Sequence, residues 1–289
     1  MSAVVTVMNM KGGVGKTTVT LNLAGLLARY NVGGRPALRV LMIDYDPQFN
    51  LSQAYIPPKE YFALEKKYKT TLAILMDSGT ALNPYQLQVS GNHSPPSVSS
   101  LVTNVFAHHT GAKLDIVPST LNLMYVALGQ ATTNTKPIEE RFEKFIGECR
   151  LHYDLIMIDC HPAGSLFTKT SLTNSDFALI PVVPQKYAVR GIGLMMEFMK
   201  AKKAGTKAPE PLILFNSTGR TGTSSEEATI RADGKYAPYC LASTLKWYKA
   251  FGEPEGGSGF VWQSNKPYST SAFLNLSAVA REFRTKIAL

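Results

Sequence analysis

The stretch Lys11-Gly12-Gly13-Val14-Gly15-Lys16-Thr17-Thr18 decides the fold. An apolar run, Ala3 to Met8, precedes it and reads as a buried strand. A 3.6-residue pattern follows over Thr17–Tyr30, with Leu21, Leu23, Ala24, Leu27 and Ala28 on its apolar side. Strand, Gly-rich turn and helix in that order form the context of a phosphate loop. Glycines let the backbone wrap closely around an anion, so that successive N–H groups converge on it. The helix N-terminus adds partial positive charge at the same place. Gly12, Gly13, Val14, Gly15 and Thr18 are therefore expected to line a phosphate site. Lys16 is expected to reach the β- and γ-phosphates, and the Thr17 hydroxyl to ligate Mg²⁺.

Working outward, apolar strands alternate with amphipathic helices. Strands are expected at Arg39–Ile43, Lys113–Val117, Leu155–Ile158, Phe177–Val183 and Leu212–Phe215. Helices are expected at Pro137–Arg150, Val189–Lys203 and Leu274–Ile287. This alternation predicts an α/β fold: a mostly parallel, doubly wound sheet with helices on both faces. Ser90–Ser100, Gly219–Ser225 and Gly252–Gly259 read as surface loops, because core-type strands continue around them. The expectation is one domain over 1–289 with an insertion at about 54–112.

Two further segments bring acids to the same edge of such a sheet. Leu41-Met42-Ile43-Asp44-Tyr45-Asp46-Pro47-Gln48-Phe49-Asn50 ends a strand with two carboxylates one residue apart. Ligands of open parallel sheets bind at the carboxyl ends of the strands. Leu155-Ile156-Met157-Ile158-Asp159 has the form of a Walker B strand, with Asp159 near the metal.

Together these segments resemble the ParA/MinD family of deviant Walker A ATPases. The resemblance rests on Lys11 at the start of the loop, on the D-x-D-P-Q-x-N form of residues 44–50, and on Asp159. It extends to Asp115–Ser119, Asp176–Gly193 and the tail from Pro267 to Phe283. It implies an ATPase that binds ATP with Mg²⁺ and forms a homodimer with ATP. Lys11 would then cross the dimer interface to the partner's nucleotide. Asp46 would position the attacking water, Asp44 would support the Mg²⁺ region, and Asn216 would read the adenine. Where the family continues its Walker B strand with Thr-Pro-Pro, this chain has Cys160-His161-Pro162, a departure.

Composition narrows the partners. The chain has 289 residues, a formal net charge of +9 and three cysteines. No apolar run reaches the ~18 residues a membrane-spanning helix needs. Sparse cysteines without a C-x-x-C pair point to a reducing, cytoplasmic setting and away from zinc or disulfide frameworks. Cys149 and Cys160 are placed badly for an iron–sulfur cluster, which argues against a nitrogenase-type relative. Lys186, Arg190, Lys200, Lys202, Lys203 and Lys207 face one acid, Glu197, in the same stretch. Such a surplus suits nonspecific DNA. The family offers two settings: ParA-like partition on DNA with a ParB-like or other activating partner, and MinD-like membrane cycling. The final helix belongs to the family domain and is not an added amphipathic tail, so membrane binding is not expected. The loop begins so near Met1 that no helix-turn-helix region is expected before it.

Overall fold

The structure, a computed structural model, describes residues 2–83, 86, 87, 89, 91–128, 134–161, 165–201 and 208–289. Its strands are β1 (Ala3–Val7), β2 (Arg39–Tyr45), β3 (Thr103–Ala107), β4 (Lys113–Val117), β5 (Leu155–Cys160), β6 (Phe177–Val182), β7 (Glu210–Thr218) and β8 (Leu245–Lys246). The helices are α1 (Lys16–Arg29), α2 (Asn50–Tyr55), α3 (Pro58–Lys66), α4 (Thr71–Leu75), α5 (Val98–Leu101), α6 (Leu123–Leu128), α7 (Lys136–His152), α8 (Leu166–Thr173), α9 (Ala188–Ala201), α10 (Ser225–Ala232) and α11 (Ser269–Lys286).

Among the described residues the strands form one sheet in the order β3-β4-β2-β5-β1-β6-β7-β8. All neighbouring pairs are parallel except β3 with β4. The central strands β1, β5 and β2 are runs of Val, Ile, Leu and Met covered on both faces, as a buried parallel sheet requires. Their side chains alternate between two cores. Val4, Leu41, Ile43, Ile156 and Ile158 join one, with α4, α7 and α9. Val5, Val7, Val40, Met42, Leu155 and Met157 join the other, with α1 and α11.

Helix α11 buries Ala272, Leu276, Val279, Ala280 and Phe283 on one stripe. It starts at Ser269, ahead of the Leu274 expected from sequence, because its apolar stripe begins at Ala272 while Leu274 faces outward. The edge strand β3 was not anticipated: Thr103-Asn-Val-Phe-Ala is only half-covered and carries a bulge between Asn104 and Phe106, so it has no apolar run to read. Parts of the 54–112 segment reach the core. Helix α4 is buried, and the Thr71 hydroxyl donates to the Asp44 carbonyl at 2.7 Å. The buried Arg141 guanidinium donates to the Ala73 and Ile74 carbonyls, both at 2.9 Å, and to Asp77. A buried guanidinium is tolerable only when its donors are satisfied in this way. No helix among the described residues is long and apolar enough to cross a membrane.

Candidate active site

The loop between β1 and α1 is held from both ends. Asn9 donates from Nδ2 to the Pro181 carbonyl at the end of β6 (2.8 Å) and accepts the Lys11 N–H (3.0 Å). Gly13 (φ +72°) and Gly15 (φ +82°) take left-handed backbone, where a Cβ is penalised. A Cβ at Gly12 or Gly13 would meet nothing within 4 Å, so this side of the loop is open to a ligand. At Gly15 a Cβ would lie 2.2 Å from Asn216 Nδ2. Asn216 is buried and donates from Nδ2 to the Val14 carbonyl at 2.8 Å. The residue singled out as a base reader thus braces the phosphate loop from below. Lys16 opens α1 and is 9% exposed.

The acids meet this loop from the neighbouring strand ends. Asp44 on β2 and Asp159 on β5 are register partners in adjacent parallel strands, so both carboxylates leave the sheet at one level. Thr17 Oγ1 donates to Asp159 Oδ2 at 2.6 Å, and Thr20 Oγ1 to Asp159 Oδ1 at 3.4 Å. Asp44 Oδ2 accepts the Ser52 N–H (2.8 Å) and hydroxyl (2.6 Å) from the first turn of α2. Asp46 is half-buried one step beyond, and its Oδ1 accepts the Gln48 N–H at 2.9 Å. Phe49 follows in left-handed backbone (φ 44°), with its ring stacked on Tyr61 at 5.1 Å.

Burial pushes the Asp159 carboxyl up to about 7, helped by the charge of Asp46, while the Thr17 hydroxyl and Lys16 oppose the rise. Burial, then the charge of Asp159, holds Asp44 well above the usual carboxylate range against the bonds from Ser52. A cation bound between phosphate and these desolvated carboxylates would offset their charge. The donors here are all hard oxygens on one side of an anion cradle, which fits Mg²⁺ held jointly by protein and phosphate.

A cavity of about 340 Å³ opens beside the loop between Thr18, Asn216, Ser217, Phe251 and Glu253, with Trp247 and Tyr248 as its outer wall. It is of the size and mixed polarity a nucleobase needs. Lys11 is exposed, with its Nζ 3.5 Å from Gln185 Oε1 beyond β6. The structure brings Lys16, Thr17, Asp44, Asp46 and Asp159 to one sheet edge and leaves Lys11 facing outward. His161 is half-buried, and its N–H meets the Tyr45 carbonyl at 3.4 Å. Of the basic stretch, Lys186, Arg190 and Lys200 are described, whereas Lys202, Lys203 and Lys207 lie outside the described residues, as does Pro162. Sequence reasoning missed Thr20, Ser52 and the Phe251–Glu255 segment. Thr20 could have been found, since it sits three residues after Thr17 on the same helix face.

A family profile described as an AAA domain matches residues 2–208. The chain is 30% identical over 275 residues to an uncharacterized protein of Methanocaldococcus jannaschii, covering 93% of this chain and 94% of that one. It is 28% identical over 202 residues to the sporulation initiation inhibitor protein Soj of Bacillus subtilis, covering 69% of this chain and 66% of Soj. The chain belongs to the ParA/MinD family of deviant Walker A ATPases. Solved ParA folds superpose over nearly the whole length. A plasmid partition protein of Borrelia burgdorferi bound to AMPPNP gives a TM-score of 0.68 at 21% identity, covering 99% of this chain and all of that one. The pNOB8 ParA bound to nonspecific DNA gives 0.62 at 20% identity, covering 100% and 98%. Both establish the shared fold of this family, a P-loop with a mostly parallel sheet.

Proposed function

We propose that this chain is a ParA-like ATPase, acting as one unit over 1–289, whose ATP-bound dimer holds nonspecific DNA and positions a plasmid, chromosome or other cargo. The observation that carries the reading is the meeting of Lys16, Thr17, Asp44, Asp46 and Asp159 at the ends of α1, β2 and β5 around an open phosphate loop. In it, backbone N–H groups of residues 12–18 bind the phosphates and Lys16 offsets their charge. Thr17 and Asp159 would hold Mg²⁺, with Asp44 behind them, and the bound ion would supply charge neutralisation at the phosphates. Asp46, less buried than the other two acids, orients the attacking water. Asn216 keeps the loop in shape and floors the base cavity. Phosphoryl transfer leaves little covalent chemistry to the protein, so positioning and charge carry catalysis. Turnover is slow until a ParB-like or other partner completes the site.

The DNA reading is supported by the net charge of +9 and by a family neighbour solved on nonspecific DNA. A dimer doubles the number of weak phosphate contacts on one rigid body, which raises affinity through effective concentration without any new residue. Helix α11 spends its apolar stripe on the core, which leaves Leu274 exposed but no continuous apolar stripe for a bilayer. The test is a titration of random-sequence duplex with ATP or ADP at several salt concentrations, with acidic liposomes alongside. Binding should need ATP, ignore sequence and fall steeply with salt. Binding of the ATP form to liposomes and not to duplex would replace this reading with a MinD-like membrane cycle.

A further inference from the structure

Beyond the base cavity lies a second hollow of about 360 Å³, walled by Arg220, Trp247, Lys249, Lys266 and Tyr268. Its aromatics are unusually bare: Trp247 is 60% and Tyr268 63% exposed. Both are held out by rigid backbone. Trp247 follows β8 and donates its N–H to the Thr218 carbonyl at 2.9 Å. Tyr268 takes left-handed backbone (φ 66°) directly before α11, an arrangement a bulky side chain adopts only under constraint. The Arg220 guanidinium lies over the Tyr268 ring, 4.6 Å from its centroid. Lys246 Nζ bonds the Arg220 carbonyl at 3.0 Å, and Lys266 pairs with Glu253. Four cations thus surround two exposed rings, with Glu253 as the paired acid. The N-terminus of α11 adds partial positive charge at the rim.

We infer that this hollow binds a single-stranded nucleic acid segment: an unpaired base stacks on Trp247 while Arg220, Lys249 and Lys266 take the flanking phosphates. The charge selects a polyanion, and the rings select its form. A duplex keeps its base faces inside and offers phosphates, for which lysines alone suffice. Exposed ring faces flanked by cations match the stacking platforms of single-strand binders. The inference does not depend on the ATP-bound dimer, because every residue in it belongs to one protomer.

The experiment uses the full chain without nucleotide and an oligo(dT) carrying one central 2-aminopurine, whose fluorescence is quenched on stacking. The wild type should bind and quench, and excess unlabelled oligo(dT) should reverse it. Trp247→Ala should abolish the quench and weaken binding about 10-fold, while Trp247→Phe restores most of both. Tyr268→Ala and Arg220→Ala should weaken oligo(dT) and leave ATP affinity unchanged; Arg220→Ala should also flatten the salt dependence. The inference is overturned if oligo(dT) binds without quenching, if Trp247→Ala binds like wild type, or if duplex of equal length competes as well as single strand. It is equally overturned if Tyr268→Ala and Arg220→Ala lower ATP affinity in parallel with oligo(dT), since the hollow would then belong to the nucleotide site.

Discussion

Replacing Gly15 with Ala tests how the phosphate loop is braced. The new Cβ would sit 2.2 Å from Asn216 Nδ2 and 3.5 Å from its Cγ. Asn216 must swing away, and the bond from Nδ2 to the Val14 carbonyl is lost. A buried acceptor left without its donor costs about 1–3 kcal/mol. Left-handed backbone at φ +82° adds about 1–2 kcal/mol for a residue with a Cβ. The single variant should therefore lose about 2–5 kcal/mol in urea denaturation without nucleotide. Asn216→Ala loses the same hydrogen bond, so its cost is about 1–3 kcal/mol. Because the bond can be lost only once, the double variant should fall short of the sum of the singles by about that amount. ATP affinity should drop in all three. Additive singles, or a Gly15→Ala protein within about 0.5 kcal/mol of wild type, would refute the brace, since substitutions away from any such feature stay in that range.

Asp46→Ala should keep ATP and lose turnover on the order of 100-fold, measured as single-turnover phosphate release; turnover equal to wild type removes Asp46 from water positioning. Ser52→Ala strips a donor from the buried Asp44 carboxylate and the acceptor of the Ser119 N–H (2.9 Å), so stability should fall by about 2–4 kcal/mol in the same denaturation assay. Asp159 ionises near pH 4 in an unfolded chain and at about 7 when folded. The folded state thus prefers the protonated form, and stability without Mg²⁺ should decline as pH rises through that window. Asp159→Asn should flatten that decline, and an unchanged slope would show that the burial is not felt.

Most of the sheet was legible because its central strands are buried on both faces and leave continuous apolar runs, as in Val40–Ile43 and Leu155–Ile158. The edges were not. Strand β3 is half-exposed and β8 is two residues long, so neither carries a pattern that periodicity can detect. The phosphate loop and the three acids could be placed at one end of the sheet because each follows a continuous apolar strand run. Their supports could not: Ser52 reaches Asp44 across eight residues and Asn216 reaches Val14 across 202, and ordinary polar residues leave no local signal of such long-range bonds. The strap over residues 251–257 is likewise set by tertiary contact, with the Gly256 and Gly257 N–H groups donating to the Gln53 and Ala54 carbonyls of α2 at 2.8 and 2.9 Å. Exposed aromatics such as Trp247 and Tyr268 look like core residues in a sequence, and only the fold reveals that they stand outside it.

In the proposed dimer, ATP joins two copies of this chain through Lys11. That lysine is exposed at the loop rim, while Lys16 is buried at the start of α1. The most direct measurement is the molar mass by light scattering of wild type, Asp46→Ala and the double variant Lys11→Ala/Asp46→Ala, each with ADP and with ATP and Mg²⁺. Asp46→Ala, slow to hydrolyse, should accumulate as a dimer with ATP and stay a monomer with ADP. Adding Lys11→Ala should leave it a monomer that still binds ATP. A double variant that dimerises with ATP as fully as Asp46→Ala would contradict the claim.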